Sequence, residues 1–365
     1  MSKSDSNNDV LGPKSDLVRI AAAVLLHIEE LTQKEIGRIL HVAEATVNVD
    51  LQRARKAGLL KTYVDIPSHV KEDAEFRIQA GRITNALRDA TGSMNLQNVV
   101  LCQGPNPRSA CAARAVADLP MDLKGMRLGV AWGLAVLELT HCLEARRHSL
   151  IGATFVPVCG DPLALPMPRP MASASSISNI LNVASKSREW KSMSGVPAFF
   201  PELPADVLQK CKQAFGVDRP SRDKLSLDGL FTGIGHNPLG YDGDMLVAST
   251  GISRTLLNSV AIGDLAGVLL PREGLSPDEG NILRDVRKRW TGLQSRDLKL
   301  IAGRDLGVFV LATSEEKFDA LLAAIRLDMV TRAYVTQDLF DKLKLFAGVP
   351  SVSHNPAVHA DDAEV

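Results

Sequence analysis

Residues 31–58 read LTQKEIGRILHVAEATVNVDLQRARKAG, and this stretch decides the fold of the N-terminal part of the chain. Apolar residues recur at spacings of three and four in both halves of the stretch, which predicts two amphipathic helices joined by a tight turn. Thr32, followed three residues later by Glu35, is typical of a capping box at a helix start. Gly58 is typical of the residue just past a helix end. Because a further helix is predicted upstream, the spacing predicts a helix-turn-helix domain over residues 15–66.

The same periodicity predicts the core of this domain. The upstream helix is expected to be capped by Ser15 or Asp16. The inward faces of the following two helices are expected to be Ile36, Ile39 and Leu40 on the first and Val47, Leu51 and Ala54 on the second.

A helix-turn-helix lays the N-terminal residues of its second helix along the major groove of DNA, while its first helix contacts the DNA backbone. Short polar side chains suit base edges or phosphates, and arginine and lysine supply the phosphate contacts that dominate affinity. The predicted DNA-binding residues are Gln33, Thr46, Asn48, Arg53, Arg55 and Lys56. A three-helix module for dimerisation, or an adaptor, is the alternative interpretation of this spacing.

The charge of this region limits the affinity expected for DNA. Residues 1–62 hold nine Lys/Arg and eight Asp/Glu, and the acidic Glu44 and Asp50 fall in the predicted groove helix. We therefore expect binding to double-stranded operator DNA to require a homo-oligomer, a dimer or a tetramer, that presents several such domains together.

Beyond Gly92 the pattern changes to short apolar runs that alternate with helical segments. Such alternation predicts an α/β domain with a doubly wound, mostly parallel sheet, in which ligands bind beyond the carboxyl ends of the strands. The predicted strands are 98–102, 127–132, 150–158, 229–234, 268–270, 308–311 and 332–335, and the predicted helices are 108–119, 134–144, 173–187, 278–290, 315–327 and 336–346.

The predicted domain organisation has five parts. The helix-turn-helix domain is followed by a linker helix, a segment suited to a contact between subunits, and then by a domain for effector binding and oligomerisation. Both ends of the chain are polar and are expected to be disordered tails. The boundaries are residues 1–14 for the first tail, 15–66 for the DNA-binding domain, 67–91 for the linker helix, 92–348 for the effector domain and 349–365 for the second tail.

The overall composition narrows the possible classes of protein. The chain of 365 residues carries 42 Lys/Arg and 42 Asp/Glu and is 4% aromatic, which argues against a wholly basic nucleic-acid coat and against aromatic stacking on single strands. Its five cysteines form no C-x-x-C pair, so neither a zinc site nor a disulfide framework is expected. The start of the chain is polar and no apolar run is long enough to span a bilayer. We expect a cytoplasmic protein without metal or cofactor.

Residues 31–36 (LTQKEI), 128–133 (LGVAWG) and 231–235 (FTGIG) are motifs that resemble those of the SorC family of bacterial sugar-responsive transcription regulators. The resemblance begins at residues 31–36 (LTQKEI) and 46–60 and continues through the second domain. There it rests on LGVAWG at residues 128–133, FTGIG at 231–235, AIGDLAG at 261–267 followed by PREG at 271–274, and the segment from Glu316 to Asp338.

This resemblance implies a fold related to sugar-phosphate isomerases. It also implies that a bound sugar or phosphorylated sugar changes the affinity of an oligomer for its operator DNA. Glycine lets the backbone approach a ligand, a helix start favours a phosphate, and lysine supplies a point charge. Carboxylates are candidate acceptors for sugar hydroxyls. The predicted effector-binding residues are Gly129, Trp132, Gly133, Gly235, Asp264, Lys317 and Asp338.

Three departures from the family pattern bear on the effector. The paired glycines before Lys317 are replaced by residues 312–316 (ATSEE), which bring two carboxylates close to the expected phosphate site. Gln337 stands where the family has aspartate, and Asp161 where it has a second glycine. The effector is therefore expected to be less phosphorylated than the family's, or not a sugar phosphate.

An isomerase-like enzyme is the alternative function. His236 follows the FTGIG turn and Asp244 lies close to it in sequence, so the two could form an acid–base pair. The sequence contains no G-x-S-x-G elbow, Walker loop or H-E-x-x-H motif, which favours a binding role.

Overall fold

The computed structural model describes residues 14–28, 31–57, 68–162, 172–187, 195–217, 226–236, 247 and 250–349. The chain divides into two units between Glu72 and Asp73. The two predicted tails lie almost entirely outside the described residues, as do the residues between the helix-turn-helix and the linker helix.

The first unit contains three helices, α1 (Lys14–Ile28), α2 (Gln33–Leu40) and α3 (Glu44–Lys56). Thr32 and Glu35 form the predicted capping box: the Thr32 backbone N–H and hydroxyl donate to the Glu35 carboxylate at 2.9 and 2.7 Å. These two bonds, the hydroxyl's first, hold the pKa of Glu35 below its ordinary value because they favour the ionised form. The helices enclose a small core of Ile20, Ala23, Val24, Ile36, Val47, Leu51 and Ala54.

Two details of this unit differ from the sequence-based expectation. The first helix already begins at Lys14, so Ser15 and Asp16 lie inside it. Ile39, predicted to face inward, is 52% exposed. The buried residues of α2 are Ile36 and Gly37, so the inward direction lies between these two, and Ile39 lies on the other side of Ile36. The three predicted inward residues of α3 are all buried.

The linker helix α4 (Ser68–Thr91) spans the division between the units, and the second unit follows it. Its remaining elements, in chain order, are β1 (Asn98–Leu101), α5 (Pro107–Ala117), β2 (Arg127–Val130), α6 (Leu134–Glu144), α7 (Arg147–Leu150), β3 (Thr154–Pro157), α8 (Ala174–Ser185), α9 (Ala205–Ala214), β4 (Gly229–His236), α10 (Arg254–Val260), β5 (Ala261–Leu265), β6 (Val268–Pro271), α11 (Pro277–Arg289), α12 (Ser295–Ala302), β7 (Gly307–Ala312), a 3₁₀ turn (Glu315–Lys317), α13 (Phe318–Arg326), β8 (Arg332–Val335) and α14 (Gln337–Phe346).

Six strands form a parallel sheet in the order β1-β8-β7-β4-β2-β3, and this confirms the predicted fold class. β4 continues beyond the sheet and pairs antiparallel with β5, which pairs with β6. Within the parallel sheet, the next strand after β2 is β3, and the next strand after β4 is β7. β3 and β7 lie on opposite sides of the neighbouring pair β2 and β4. The carboxyl ends of β2 and β4 therefore flank a topological switch point, where open α/β sheets bind their ligands.

Helices cover both faces of this sheet, as expected for a doubly wound fold. Buried side chains of α5, α6 and α8 form one apolar cluster with the strands. Buried side chains of α4, α11, α12, α13 and α14 form a second, larger cluster on the opposite face. Each strand is therefore buried on both sides, which explains why the strands read as continuous apolar runs.

Some short elements were not predicted from the sequence. These are β5 and helices α7, α9, α10 and α12. β5 escaped prediction because it carries Gly263 and Asp264, residues that are rare in strands, and it is held by antiparallel partners on both sides. The predicted strand 150–158 begins only at Thr154, since Arg147–Leu150 forms a helical turn instead. No helix in the described part of the chain combines the length and apolar character needed to cross a membrane.

Candidate functional site

The outward face of α3 is the candidate DNA-reading surface. Its inward face carries the buried residues Val47, Asp50, Leu51 and Ala54. The opposite face exposes Ala45, Asn48, Val49, Gln52, Arg55 and Lys56.

The predicted DNA-binding residues divide between this face and its margin. Asn48, Arg55 and Lys56 are exposed on it, whereas Thr46 and Arg53 are half-buried at one flank, seven positions apart on α3. Gln33 is half-buried at the first position of α2.

Gln52 is a candidate contact that the sequence analysis missed. It is exposed one helical turn after Asn48, so the two amides lie on the same side of α3. Asparagine and glutamine both form bidentate hydrogen bonds with adenine in the major groove. The spacing of four residues between them is the signal that could have revealed Gln52.

Asp50 does not lie on the outward face, although it belongs to the predicted groove helix. Its side chain is 1% exposed and accepts hydrogen bonds from Arg19 Nε at 2.7 Å and from Arg19 Nη2 at 3.1 Å. This fork joins α1 to α3 and neutralises the carboxylate inside the unit. The acidic charge that was expected to oppose DNA at this position is therefore removed from the DNA-reading surface.

A cavity of about 420 Å³ lies at the switch point of the sheet, where β2, β4 and β7 end. We call it the switch-point cavity. Ligand pockets of small-molecule binding proteins typically have volumes of a few hundred Å³, so this volume suits a metabolite. Its described lining consists of Asn106, Pro107, Arg108, Gly133, Leu134, Ala135, Gly233, Gly235, His236, Thr313, Ser314, Glu316 and Lys317.

The start of α6 supplies backbone N–H groups to this lining. Gly133 is the N-cap residue, and with φ of 116° it adopts a conformation that other residues rarely reach. Its backbone N–H donates to Ala172 O at 2.9 Å, and Gly133 has no side chain that could cap the first turn of α6. The first-turn N–H groups and the positive end of the helix dipole favour an anionic group in the cavity.

Charged side chains of both signs line the cavity. Arg108 and Lys317 are cationic, and Lys317 Nζ lies 3.4 Å from Thr313 Oγ1. The His236 side chain, 16% exposed, lies with Nε2 at 3.1 Å from Oε2 of Glu316, whose side chain is 73% exposed. Glu316 therefore turns its carboxylate towards the lining of the cavity.

Three of the seven predicted effector-binding residues meet in this cavity: Gly133, Gly235 and Lys317. They come from the segment after β2, from β4 and from the turn after β7, so these three residues, far apart in sequence, lie together at the carboxyl edge of the sheet. Arg108 also lines the cavity although it was not predicted. It follows a strand end and opens a helix, the same local signal that singled out Lys317.

Gly129 and Trp132 lie in the core and not in the described lining of the cavity. A Cβ atom at Gly129 would come within 2.8 Å of the Leu227 and Val158 side chains, so this glycine serves packing. The Trp132 side chain is 4% exposed, and its ring lies 5.5 Å from that of Trp290. Both residues support the strand end that leads to the cavity.

Asp264 and Asp338 also lie outside the described lining. Asp264 is 3% exposed and its carboxylate accepts a hydrogen bond from the Gly267 backbone N–H at 2.8 Å, which closes the turn between β5 and β6. A Cβ atom at Gly235 would collide with Asp264 Oδ1, so Asp264 backs the cavity wall through Gly235. Asp338 is exposed in the first turn of α14.

Asp161, which replaces a family glycine, is held in a turn after β3. Its N–H donates to Val196 O and its carbonyl accepts from Ala198 N, both at 2.8 Å. A Cβ atom at Gly160 would lie 2.6 Å from Val196 O, so the two segments can meet only at a glycine. Burial raises the pKa of the Asp161 carboxyl. Asp244, the proposed partner of His236 in the enzyme alternative, lies outside the described residues.

Comparisons with known proteins agree with this architecture. Residues 21–57 match the family described as Sigma-70, region 4. The chain is similar to the full-length sorbitol operon regulator SorC from Klebsiella pneumoniae, with a TM-score of 0.58 and 18% identity over 91% of this chain and 99% of that chain. No curated protein sequence matches the chain significantly.

Two further solved structures are similar to the chain. One is a DeoR family transcriptional regulator from Listeria monocytogenes, with a TM-score of 0.55 and 14% identity over 72% of this chain and 99% of that chain. The other is a putative sugar-binding domain of a transcriptional repressor from Vibrio fischeri, with a TM-score of 0.54 and 17% identity over 74% of this chain and 98% of that chain. The chain therefore has the fold of SorC- and DeoR-type regulators along most of its length.

Proposed function

We propose that this protein is a DNA-binding transcription regulator whose affinity for its operator is changed by a small metabolite in the switch-point cavity. The observation that carries the proposal is that one chain combines two features. One is a helix-turn-helix whose outward face carries amides and cations, and the other is a parallel sheet with a ligand-sized cavity. The similar solved structures are transcription regulators, which does not favour the isomerase alternative. A regulator of this kind would work in the cytoplasm.

The proposed effector is a sugar or a related hydroxylated metabolite. Sugar binding is what the Vibrio fischeri domain is described for. In this chain the cavity offers hydroxyl, amide and backbone groups beside its charged residues, a combination that suits a ligand with many hydroxyls. The proposed contacts among the predicted residues are Gly133, Gly235 and Lys317.

The function can be tested without knowledge of the operator. DNA duplexes selected by the full-length protein from a randomised pool serve as the target, and free and phosphorylated sugars and sugar acids are screened for an increase in the thermal midpoint of unfolding. A metabolite that raises the midpoint should also change the affinity for the selected duplex. Failure to enrich any duplex, or ligands that stabilise the protein without affecting DNA binding, would refute the proposal.

We expect the double substitution Arg53→Ala and Arg55→Ala to weaken binding to the selected duplex by about tenfold, because phosphate contacts supply much of the affinity. The slope of log affinity against log salt should become shallower by about one for each DNA phosphate that the variant no longer neutralises. Fluorescence anisotropy at several salt concentrations measures both quantities. The control, Arg284→Ala with Lys288→Ala on α11, removes the same charge from the other unit and should leave the slope unchanged.

We also propose that the protein acts as a homo-oligomer, a dimer or a tetramer. β1 is an edge strand in the described sheet, and a groove of about 930 Å³ runs along it between α4 and α5. Ile78, on α4 next to the groove residue Arg77, is 54% exposed, and we propose it as an apolar contact with a second subunit.

Ile78→Asp should therefore shift the protein towards monomers and weaken DNA binding, since paired domains gain affinity from each other's proximity. Light scattering coupled to gel filtration measures the mass. Val183→Asp on α8, where the native valine is 76% exposed, is the matched control. A wild-type monomer that binds the duplex tightly would contradict the oligomer.

A further inference from the structure

The wall of the switch-point cavity combines an anion-binding arrangement with a carboxylate. Arg108, Lys317 and the N–H groups at the start of α6 all favour a negative group. Glu316, which lines the same cavity, opposes one. The anionic group of a ligand therefore meets attraction and repulsion at the same wall, and the size of each effect increases with the charge of that group.

We propose that Glu316 is a specificity-determining residue of this cavity, and that its carboxylate shifts the preference of the cavity from a phosphate monoester towards a ligand with a single negative charge, a hydroxylated carboxylate. The inference rests on the proposed function only in requiring that a small molecule occupies the cavity.

The position of Glu316 supports this role. It lies in the 3₁₀ turn that follows β7, next to Lys317, so it is placed at the mouth of the site by the same backbone that presents the lysine. Its carboxylate lies 3.1 Å from His236 Nε2. Because the His236 side chain is largely buried, this contact holds the carboxylate at the lining of the cavity. A ligand that binds beside Lys317 therefore lies close to the Glu316 carboxylate.

Coulomb's law gives the direction of the selectivity. The repulsion between Glu316 and a ligand group is proportional to the charge of that group, so a dianion suffers about twice the penalty of a monoanion at the same position. The attraction to Lys317 and Arg108 doubles in the same way, so the effect of Glu316 is relative: its carboxylate lowers the affinity for a phosphate dianion more than the affinity for a carboxylate.

The neighbouring Glu315 does not share this position. Its Oε1 lies 3.2 Å from Lys342 Nζ, on α14, and Glu315 is absent from the described lining of the cavity. Glu315 and Glu316 are consecutive, exposed and identical in chemistry, so they form a matched pair in which only one side chain reaches the site.

The test compares Glu316→Gln with Glu315→Gln in the full-length protein, and uses acetate and inorganic phosphate as probes at pH 8, where phosphate carries close to two charges. Isothermal calorimetry and thermal midpoints measure binding, and the far-ultraviolet circular dichroism spectrum checks folding. Gluconate and glucose 6-phosphate are then compared, to show whether the same preference holds for a sugar-borne group.

If the acetate affinity of Glu316→Gln rises about threefold, its phosphate affinity should rise about tenfold, because the gain in free energy doubles with the ligand charge. Glu315→Gln should change the ratio of the two affinities by less than about twofold, because solvent and salt screen the effect of the exposed Glu315 carboxylate on a ligand in the cavity. An unchanged phosphate affinity in Glu316→Gln, an equal gain for both probes, or the same gain in Glu315→Gln would overturn the proposal.

Measuring DNA binding on the same samples separates this inference from the proposed function. Selective gain of phosphate binding in a protein that selects no duplex would uphold the specificity role and refute the regulator. If DNA binding depends on the metabolite but Glu316→Gln does not change the preference between the two anions, the regulator is upheld and the specificity role is refuted.

Discussion

Asp50→Ala should destabilise the N-terminal unit and thereby abolish DNA binding, although Asp50 does not face DNA. The substitution leaves Arg19 without the carboxylate that accepts its two hydrogen bonds. Breaking a buried ion pair by removing one partner costs about 3–5 kcal/mol. Since the Arg19 side chain is 29% exposed and can regain water, we expect a loss of about 2–3 kcal/mol, still a large share for a three-helix unit.

Thermal unfolding followed by circular dichroism, together with proteolysis of the region before the linker helix, measures this loss. The control is Glu44→Ala, which removes an exposed carboxylate from the first turn of the same helix and should change stability little. A normal stability of Asp50→Ala with intact DNA binding would show that the fork between α1 and α3 contributes nothing to the unit.

Trp290→Ala should have the largest effect in the second unit. The Trp290 side chain is 2% exposed, its Nε1 donates to Leu293 O at 2.7 Å, and its ring lies 4.7 Å from that of Phe199 and 5.5 Å from that of Trp132. Replacing a buried tryptophan by alanine costs about 3–5 kcal/mol, because the packing around the ring is removed and a void remains.

The destabilisation should also reach the switch-point cavity, because Trp132 directly precedes Gly133. Without its neighbouring ring the turn should hold the α6 N–H groups less rigidly, so we expect weaker ligand-induced stabilisation in addition to a lower midpoint. Chemical denaturation with the ligand from the screen measures both effects. Phe215→Ala, at a ring that is 48% exposed, is the control and should cost far less; equal losses of stability in both variants would contradict the role of Trp290.

The helices of the N-terminal unit and the alternation of strands and helices follow from the sequence alone, and the fold class follows from both. Thr32 and Glu35 mark a helix start because a capping box is made within one turn of chain. The strand runs are apolar because both faces of a parallel sheet are covered. Convergence of Gly133, Gly235 and Lys317 also followed from the sequence, since the carboxyl ends of parallel strands share one edge.

Which polar and glycine residues face the cavity depends on tertiary contacts that the sequence pattern does not show. Gly129 and Gly133 look alike in sequence, yet the first accommodates side chains from two other elements and the second adopts a positive φ at a helix start. Asp50 was placed on the predicted groove helix, but Arg19, 31 positions away, holds its carboxylate in the interior. Asp264 was assigned to the effector site, but it is buried in the turn between β5 and β6, where it accepts a hydrogen bond from Gly267. Periodicity fixes the direction of a side chain relative to its own helix or strand, whereas its contacts depend on elements that the chain brings alongside from far away in sequence.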